Sequence, residues 1–265
     1  LQPIPGVDGD VKRLATILLR FTPMTSHIIG ACRVGVPARA VLLAVAISTV
    51  AHSSKSDEAP MNPDWSVEAH VGVGRLRFGL TPEAVSATAS VYGSPTPMIK
   101  GSDAASDVAA LMADMPELGL SLSVDELAAL QQSTAEQANL DRQNLEKDRT
   151  AVLLEYRDGR LDGVTVEARH AETAFEGRRV FAMDPIEVLR LFERANGEPG
   201  RYRHNEAAFD RLAVSLFAFS HARADGHVRP ATKGDRDFRA RSLTLRRQPY
   251  KPAGELDQFV TASFE

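Results

Sequence analysis

The sequence predicts an α+β fold in which duplicated β-α-β-β units form a mainly antiparallel sheet, with helices packed on it and a helical insert. Three observations carry that expectation. The stretch "GRLRFGLTPEAV", residues 74–85, returns 103 residues later as "GRRVFAMDPIEV", residues 177–188. Each copy is followed by strand-pair signals. Between the first helix and its strands lies a polar, helix-forming stretch over roughly 102–148.

The first sixty residues differ in character from the rest. They hold only four acidic residues, and from Ala40 to Ala51 they are apolar apart from Ser48 and Thr49. That run falls short of the ~20 residues a bilayer span needs, so no transmembrane segment is expected. Its length suits the apolar region of a signal peptide, with Arg33 and Arg39 ahead of it and Met24 as a start. The other reading makes Met61 the start and everything before it upstream sequence. Either way, residues 1–60 read as a non-globular extension and 61–265 as a single α+β domain. Its pseudo-repeats are expected at about 66–170 and 171–265. "SSKSDEAPMNPDW" is a polar, proline-punctuated linker, which places the start of the folded body near Trp65.

In the first unit, Leu76 and Phe78 alternate with Arg75 and Arg77, as on a half-buried strand. Gly79 permits a sharp turn. Thr81 can accept a hydrogen bond from a free amide in the next helix, and Pro82 loses nothing at its first position. Leu80 and Val85 occupy the positions of a hydrophobic staple, and the helix should stop near Tyr92. Further on, "AVLLEYRDGRLDGVTVEAR" reads as a hairpin. Val152, Leu154 and Tyr156 share one face, Asp158-Gly159 forms the turn, and Val164, Val166 and Ala168 alternate on the return.

The insert offers "SDVAALMADM" as an amphipathic helix. A second helix is expected from the Ser123–Glu126 capping box and the Leu122–Leu127 staple onward. Its later half is nearly all polar, which predicts projection into solvent or towards a partner.

The second unit repeats the design. Gly74, Arg75, Phe78, Pro82 and Val85 fall on Gly177, Arg178, Phe181, Pro185 and Val188. Met183 replaces Leu80 in the staple, and Asp184 with Glu187 offers a capping box. "LAVSLFAFS" (212–220) and "FRARSLTLRRQ" (238–248) should then pair as strands. The body would hold about six strands, with both helices on one face. Because 212–219 is apolar on both parities, a second cover is expected there, from the insert helices.

Composition excludes several function classes. A single cysteine, Cys32, rules out an intramolecular disulfide framework and a thiolate zinc cluster. A net charge of −4 argues against general polyanion binding. No phosphate-binding loop, nucleophile elbow or His-Glu-x-x-His motif occurs. "HARADGH" does bring His221, Asp225 and His227 close in sequence, a conceivable zinc set, but the stretch reads first as a solvated loop between strands. His170, beside Glu167 and Glu172, reads as a surface residue. No catalytic residue, cofactor or metal is assigned.

One charge feature exceeds background. From His221 to Lys251 nine basic residues face only Asp225, Asp235 and Asp237. Arg236, Arg239, Arg241, Arg246 and Arg247 are the candidate partner-binding residues, with Arg239 and Arg241 expected on one strand face. The segment reads first as an edge strand protected by charge or paired with the chain's own acidic insert, and second as a grip for an acidic protein or envelope component. Nucleic acid is disfavoured because aromatic interleaving is sparse.

"GRLRFGLTPEAV" resembles the Gly-x-Leu-x-Phe-Gly-Met-Thr-x-x-Glu-Val signature of small bacterial proteins. A similar element occurs in the SmpA/OmlA (BamE-like) outer-membrane lipoprotein family. Leu80 replaces the methionine and Ala84-Val85 the Glu-Val, which the second copy keeps as Glu187-Val188. The resemblance covers about 20 residues and implies a bacterial binding domain. The expected function is therefore a non-enzymatic protein-interaction module, of adaptor or immunity type, in the cytoplasm. The alternatives are an exported, envelope-associated BamE-like binding protein, with residues 24–53 as signal, and a metal-dependent enzyme.

Overall fold

The computed structural model describes residues 61–114, 124–223, 225–249 and 258–264. The extension over 1–60, Lys251 and the capping pairs at 122–127 rest on residues or side chains outside that set. The described chain is α+β. It opens with the short strands β1 (Ser66–Glu68), β2 (Gly72–Val73) and β3 (Leu76–Arg77), then helices α1 (Pro82–Ser86) and α2 (Ala89–Tyr92). Strand β4 (Ser94–Pro95) precedes the helices α3 (Gly101–Asp114) and α4 (Val124–Gln137). A meander follows: β5 (Leu140–Lys147), β6 (Thr150–Arg157) and β7 (Arg160–Glu167). The second half begins with β8 (Ala174–Phe175), β9 (Arg178–Arg179) and α5 (Pro185–Asn196). It continues through β10 (Gly200–Arg203), β11 (Glu206–Phe209) and β12 (Val214–Phe217). A side hairpin, β13 (Ser220–Ala222) and β14 (Val228–Pro230), comes before β15 (Ser242–Arg246) and β16 (Val260–Ala262).

The main sheet has nine strands in the order β16-β10-β11-β12-β15-β7-β6-β5-β4, each pair antiparallel. A smaller sheet, β3-β2-β1-β8-β9, joins the two halves through the parallel β1–β8 pair. Register puts Tyr202, Ala207, Leu216, Leu243 and Val166 in one row across neighbouring strands of the main sheet. Phe209, Val214, Leu245, Val164 and Leu154 form the next row on the same face, and all ten are buried. Helix α5 covers this face at one end, with Phe192 5.6 Å from Phe209. The small sheet lies over its middle, β2 against β7 and β15. The other face carries short polar side chains, including a 2.9 Å hydroxyl pair between Thr165 and Thr244.

Much of the local grammar is present. The Thr81 hydroxyl accepts from the Ala84 amide at 3.3 Å, Gly79 sits at φ 86, and Leu80 and Val85 both join the core. Asp158-Gly159 turns the β6–β7 hairpin with both residues at positive φ. Strands β12 and β15 pair as expected.

Other expectations are corrected. The first helix is broken after Ser86, where the Ser86 and Thr88 hydroxyls donate to the Pro82 and Val85 carbonyls and compete with the helical ladder. The polar tail of the insert is no helix; Leu140–Lys147 is strand β5, burying Gln143 and Leu145 opposite Leu154 and Val152. Asp184 stands at the N-cap of α5, but its side chain makes no capping bond, and Glu187 reaches Arg178 instead. The run 212–220 is not one strand: Ala213 (φ 52) and Ala218 (φ 59) turn the chain, leaving Val214–Phe217 as β12 and Ser220 as the first residue of β13. The insert helices sit away from 212–219 and do not supply its expected second cover: α3 packs on α4 and on β5, four strands from β12, where Lys100 and the Gly101 amide both bind Asp141. Strand β15 starts only at Ser242, since Phe238–Ala240 is a 3-10 turn.

Candidate functional site

The basic segment folds around the β13–β14 hairpin and the loop that follows it. Ala218 swings the chain out of β12, and its amide donates to the Asn205 carbonyl. The hairpin then lies against β10, β11 and α5. After Pro230 the chain makes a turn fixed by one side chain. Asp235 accepts from the Thr232 amide (2.7 Å) and, through both carboxylate oxygens, from Arg229 (2.8 and 2.9 Å). The Arg229 guanidinium, with the Thr232 amide, holds the Asp235 carboxyl well below the usual carboxylate range. His221 Nε2 lies 3.2 Å from the same carboxylate, close enough for an ion contact, while Nδ1 donates to Asn205 Oδ1 at 2.8 Å. Asn205 in turn donates to Asp237 at 2.6 Å.

Both acidic side chains of this loop are partly buried and already bonded to neighbouring residues. Its cations are not. Lys233, Arg236 and Arg239 are exposed and form no ion pair among the described residues.

The five arginines singled out from the sequence thus separate. Arg236 and Arg239 stand in this cationic row. Arg247 is exposed at the far end of β15, roughly 15 Å away along the strand. Arg241 is buried, at 7% exposure, and shares no strand face with Arg239. Its guanidinium lies 4.0 Å from the Phe238 ring centre and 5.2 Å from that of Phe219. It donates to the Phe238 and Phe181 carbonyls, and burial lowers its pKa. Arg246 is also committed internally, through two bonds to buried Glu155 (2.8 and 3.3 Å). Desolvation pushes the Glu155 carboxyl up, but Arg246, together with Arg142 and Arg157, brings its pKa below the ordinary value.

A cavity of about 360 Å³ opens beside the cationic row. The first turn of α5 supplies Asp184, Pro185 and Ile186 to its wall, and the loop supplies Pro230, Thr232, Lys233 and Phe238. Sequence reasoning missed this site because its two halves lie more than forty residues apart. The Thr232-x-x-Asp235 spacing was the one readable signal, since such a pair often closes a turn. A second cavity, about 390 Å³ between α3 and α4, has no ionisable side chain in its wall.

The candidate zinc set does not come together. His221 faces Asn205 and Asp235, Asp225 accepts from the His227 amide, and His227 is exposed. Among the described residues no three His, Cys, Asp or Glu side chains are placed to hold a metal ion. His170 is buried instead of lying on the surface, stacked on Trp65 at 4.5 Å and donating to the Ala151 carbonyl. No helix among the described residues is long and apolar enough to cross a membrane. Comparison of the chain with protein-family models, curated proteins and solved structures matches none of them.

Proposed function

We propose that this chain is a non-enzymatic protein-interaction module that holds an acidic protein segment on the loop between β14 and β15. The division of charge in residues 232–239 carries the reading: two carboxylates already bonded, and three exposed cations without an ion partner among the described residues. A partner carboxylate arriving at Lys233, Arg236 or Arg239 meets no competing anion from the loop itself. Such an undivided local field orients and retains an acidic surface even on a chain whose net charge is −4.

The scaffold behind this loop is proposed to be a duplicated hairpin-helix-four-strand unit. Strand order supports it. The series β4-β5-β6-β7 and β10-β11-β12-β15 each run as an antiparallel meander, and their last strands, β7 and β15, are neighbours. Pro82 and Pro185 open the helix ahead of each meander. The two helices therefore lead into equivalent halves of one sheet.

The test is co-purification of the full chain from its native host, beside the double reversal Arg236→Glu with Arg239→Glu. A stoichiometric protein partner retained by the parent and lost on reversal is expected. A chain that purifies alone, or a partner that the reversed variant retains in full, would overturn the proposal.

A further inference from the structure

We infer that the cavity between the first turn of α5 and the 230–238 loop is a socket for one large apolar side chain of that acidic segment. The inference rests on the acidic-partner reading and makes it more specific. At about 360 Å³ the cavity exceeds the volume of one side chain, so it has room for the apolar side chain together with the adjoining stretch of the peptide that carries it. Pro185, Ile186, Pro230 and Phe238 make its wall mainly apolar, and buried apolar anchors contribute most of the binding energy at protein interfaces.

The wall is held in place before anything binds. Both prolines have restricted backbones. The Phe238 ring is backed by the Arg241 guanidinium at 4.0 Å, itself fixed by the carbonyls of Phe181 and Phe238. A socket that needs no ordering loses less entropy when it fills.

Charge selects the occupant. Lys233 belongs to the wall itself, and Arg236 and Arg239 bracket Phe238 in the chain, all three without an ion partner among the described residues. A peptide with a Leu, Ile, Met or Phe flanked by Asp or Glu would satisfy both socket and rim. Asp184 is the one carboxylate in the wall, and it caps nothing. It therefore opposes an acidic peptide at close range. A nucleic acid would satisfy the cations but has no aliphatic group for the socket.

The experiment is selection of a displayed random-peptide library on the full chain, with titration of the enriched peptides by fluorescence anisotropy. The expected consensus is a large apolar residue with acidic neighbours. Lys233→Glu with Arg236→Glu should weaken these peptides by ~10-fold or more, and the uncharged Ile186→Ser by ~5-fold. Asp184→Asn should tighten them about twofold. Thermal midpoints of the variants, compared with the parent, verify folding. Acidic peptides that respond to the charge reversal but not to Ile186→Ser would overturn the socket and leave the acidic-partner reading standing. Peptides that respond to neither, or a single-stranded oligonucleotide that binds as tightly as they do, would overturn both.

Discussion

Gly163 shows how one residue without a side chain serves a charge pair on either side of it. It lies on β7 directly between Arg246 on β15 and Glu155 on β6. The Arg246 side chain reaches across it to a carboxylate only 2% exposed. A Cβ at Gly163 would stand 2.6 Å from Glu155 Oε2, so any side chain there displaces the pair. Breaking a buried ion pair leaves a charge without compensation, which costs about 3–5 kcal/mol. Glu155→Gln should lose stability on that scale in urea unfolding. The double replacement Glu155→Leu with Arg246→Met should lose markedly less, because no lone charge remains. Nothing in "LLEYR" or "LTLRR" marks these two residues as partners across 91 positions. Arg246 reads in sequence as one more surface cation.

At the scale of elements, two N-caps that look alike in sequence behave differently. Thr81 accepts from Ala84, while Asp184 accepts from no amide in its helix. Thr81→Ala should therefore cost about 1 kcal/mol, and Asp184→Ala only a few tenths, measured as shifts in thermal midpoint. The difference has a geometric companion. The hairpins β2–β3 and β8–β9 stand 102 residues apart, but the helices they lead into stand 103 apart. One extra residue between β9 and α5 changes how the chain enters the helix. The hairpin of β6 and β7 was legible because apolar residues alternate and Asp-Gly supplies the turn. Strand β5 was not, because "LDRQNLEK" buries only Gln143 and Leu145 and its hydrophobic pattern is too thin to set a period. Its strand state comes from eight paired positions on β6.

At the scale of the whole molecule, the β1–β8 pair joins the halves, and Trp65 stacks on His170 beside that junction. Trp65 is the sole tryptophan of the chain, which makes the contact observable. Burial lowers the His170 pKa below its ordinary 6.5, with the bond to the Ala151 carbonyl opposing that shift only in part. The unfolded chain therefore takes up this proton at a higher pH than the folded one. Stability should be full above pH 6.5 and fall as pH drops towards the folded pKa, then level off. Thermal midpoints across pH 5–8, with His170→Gln as the flat control, check this contribution. A Trp65 fluorescence change with a midpoint below 6.5, absent from that variant, would report the same proton.

By itself the sequence determined what depends on neighbours along the chain: the α+β class, the turn and helix start at 79–82, the Thr81 cap and the Asp158-Gly159 hairpin. These rest on backbone sterics and on hydrogen bonds a few residues long. The same local logic gathered five arginines into one basic patch. Only the tertiary structure separated them, because a cation's availability depends on which carboxylates and rings fold against it. Glu155 took Arg246, the Phe219 and Phe238 rings enclosed Arg241, and Asp235 and Asp237 bonded to Arg229 and Asn205. That division left Lys233, Arg236 and Arg239 as the open charges beside an apolar cavity whose walls come from distant parts of the chain.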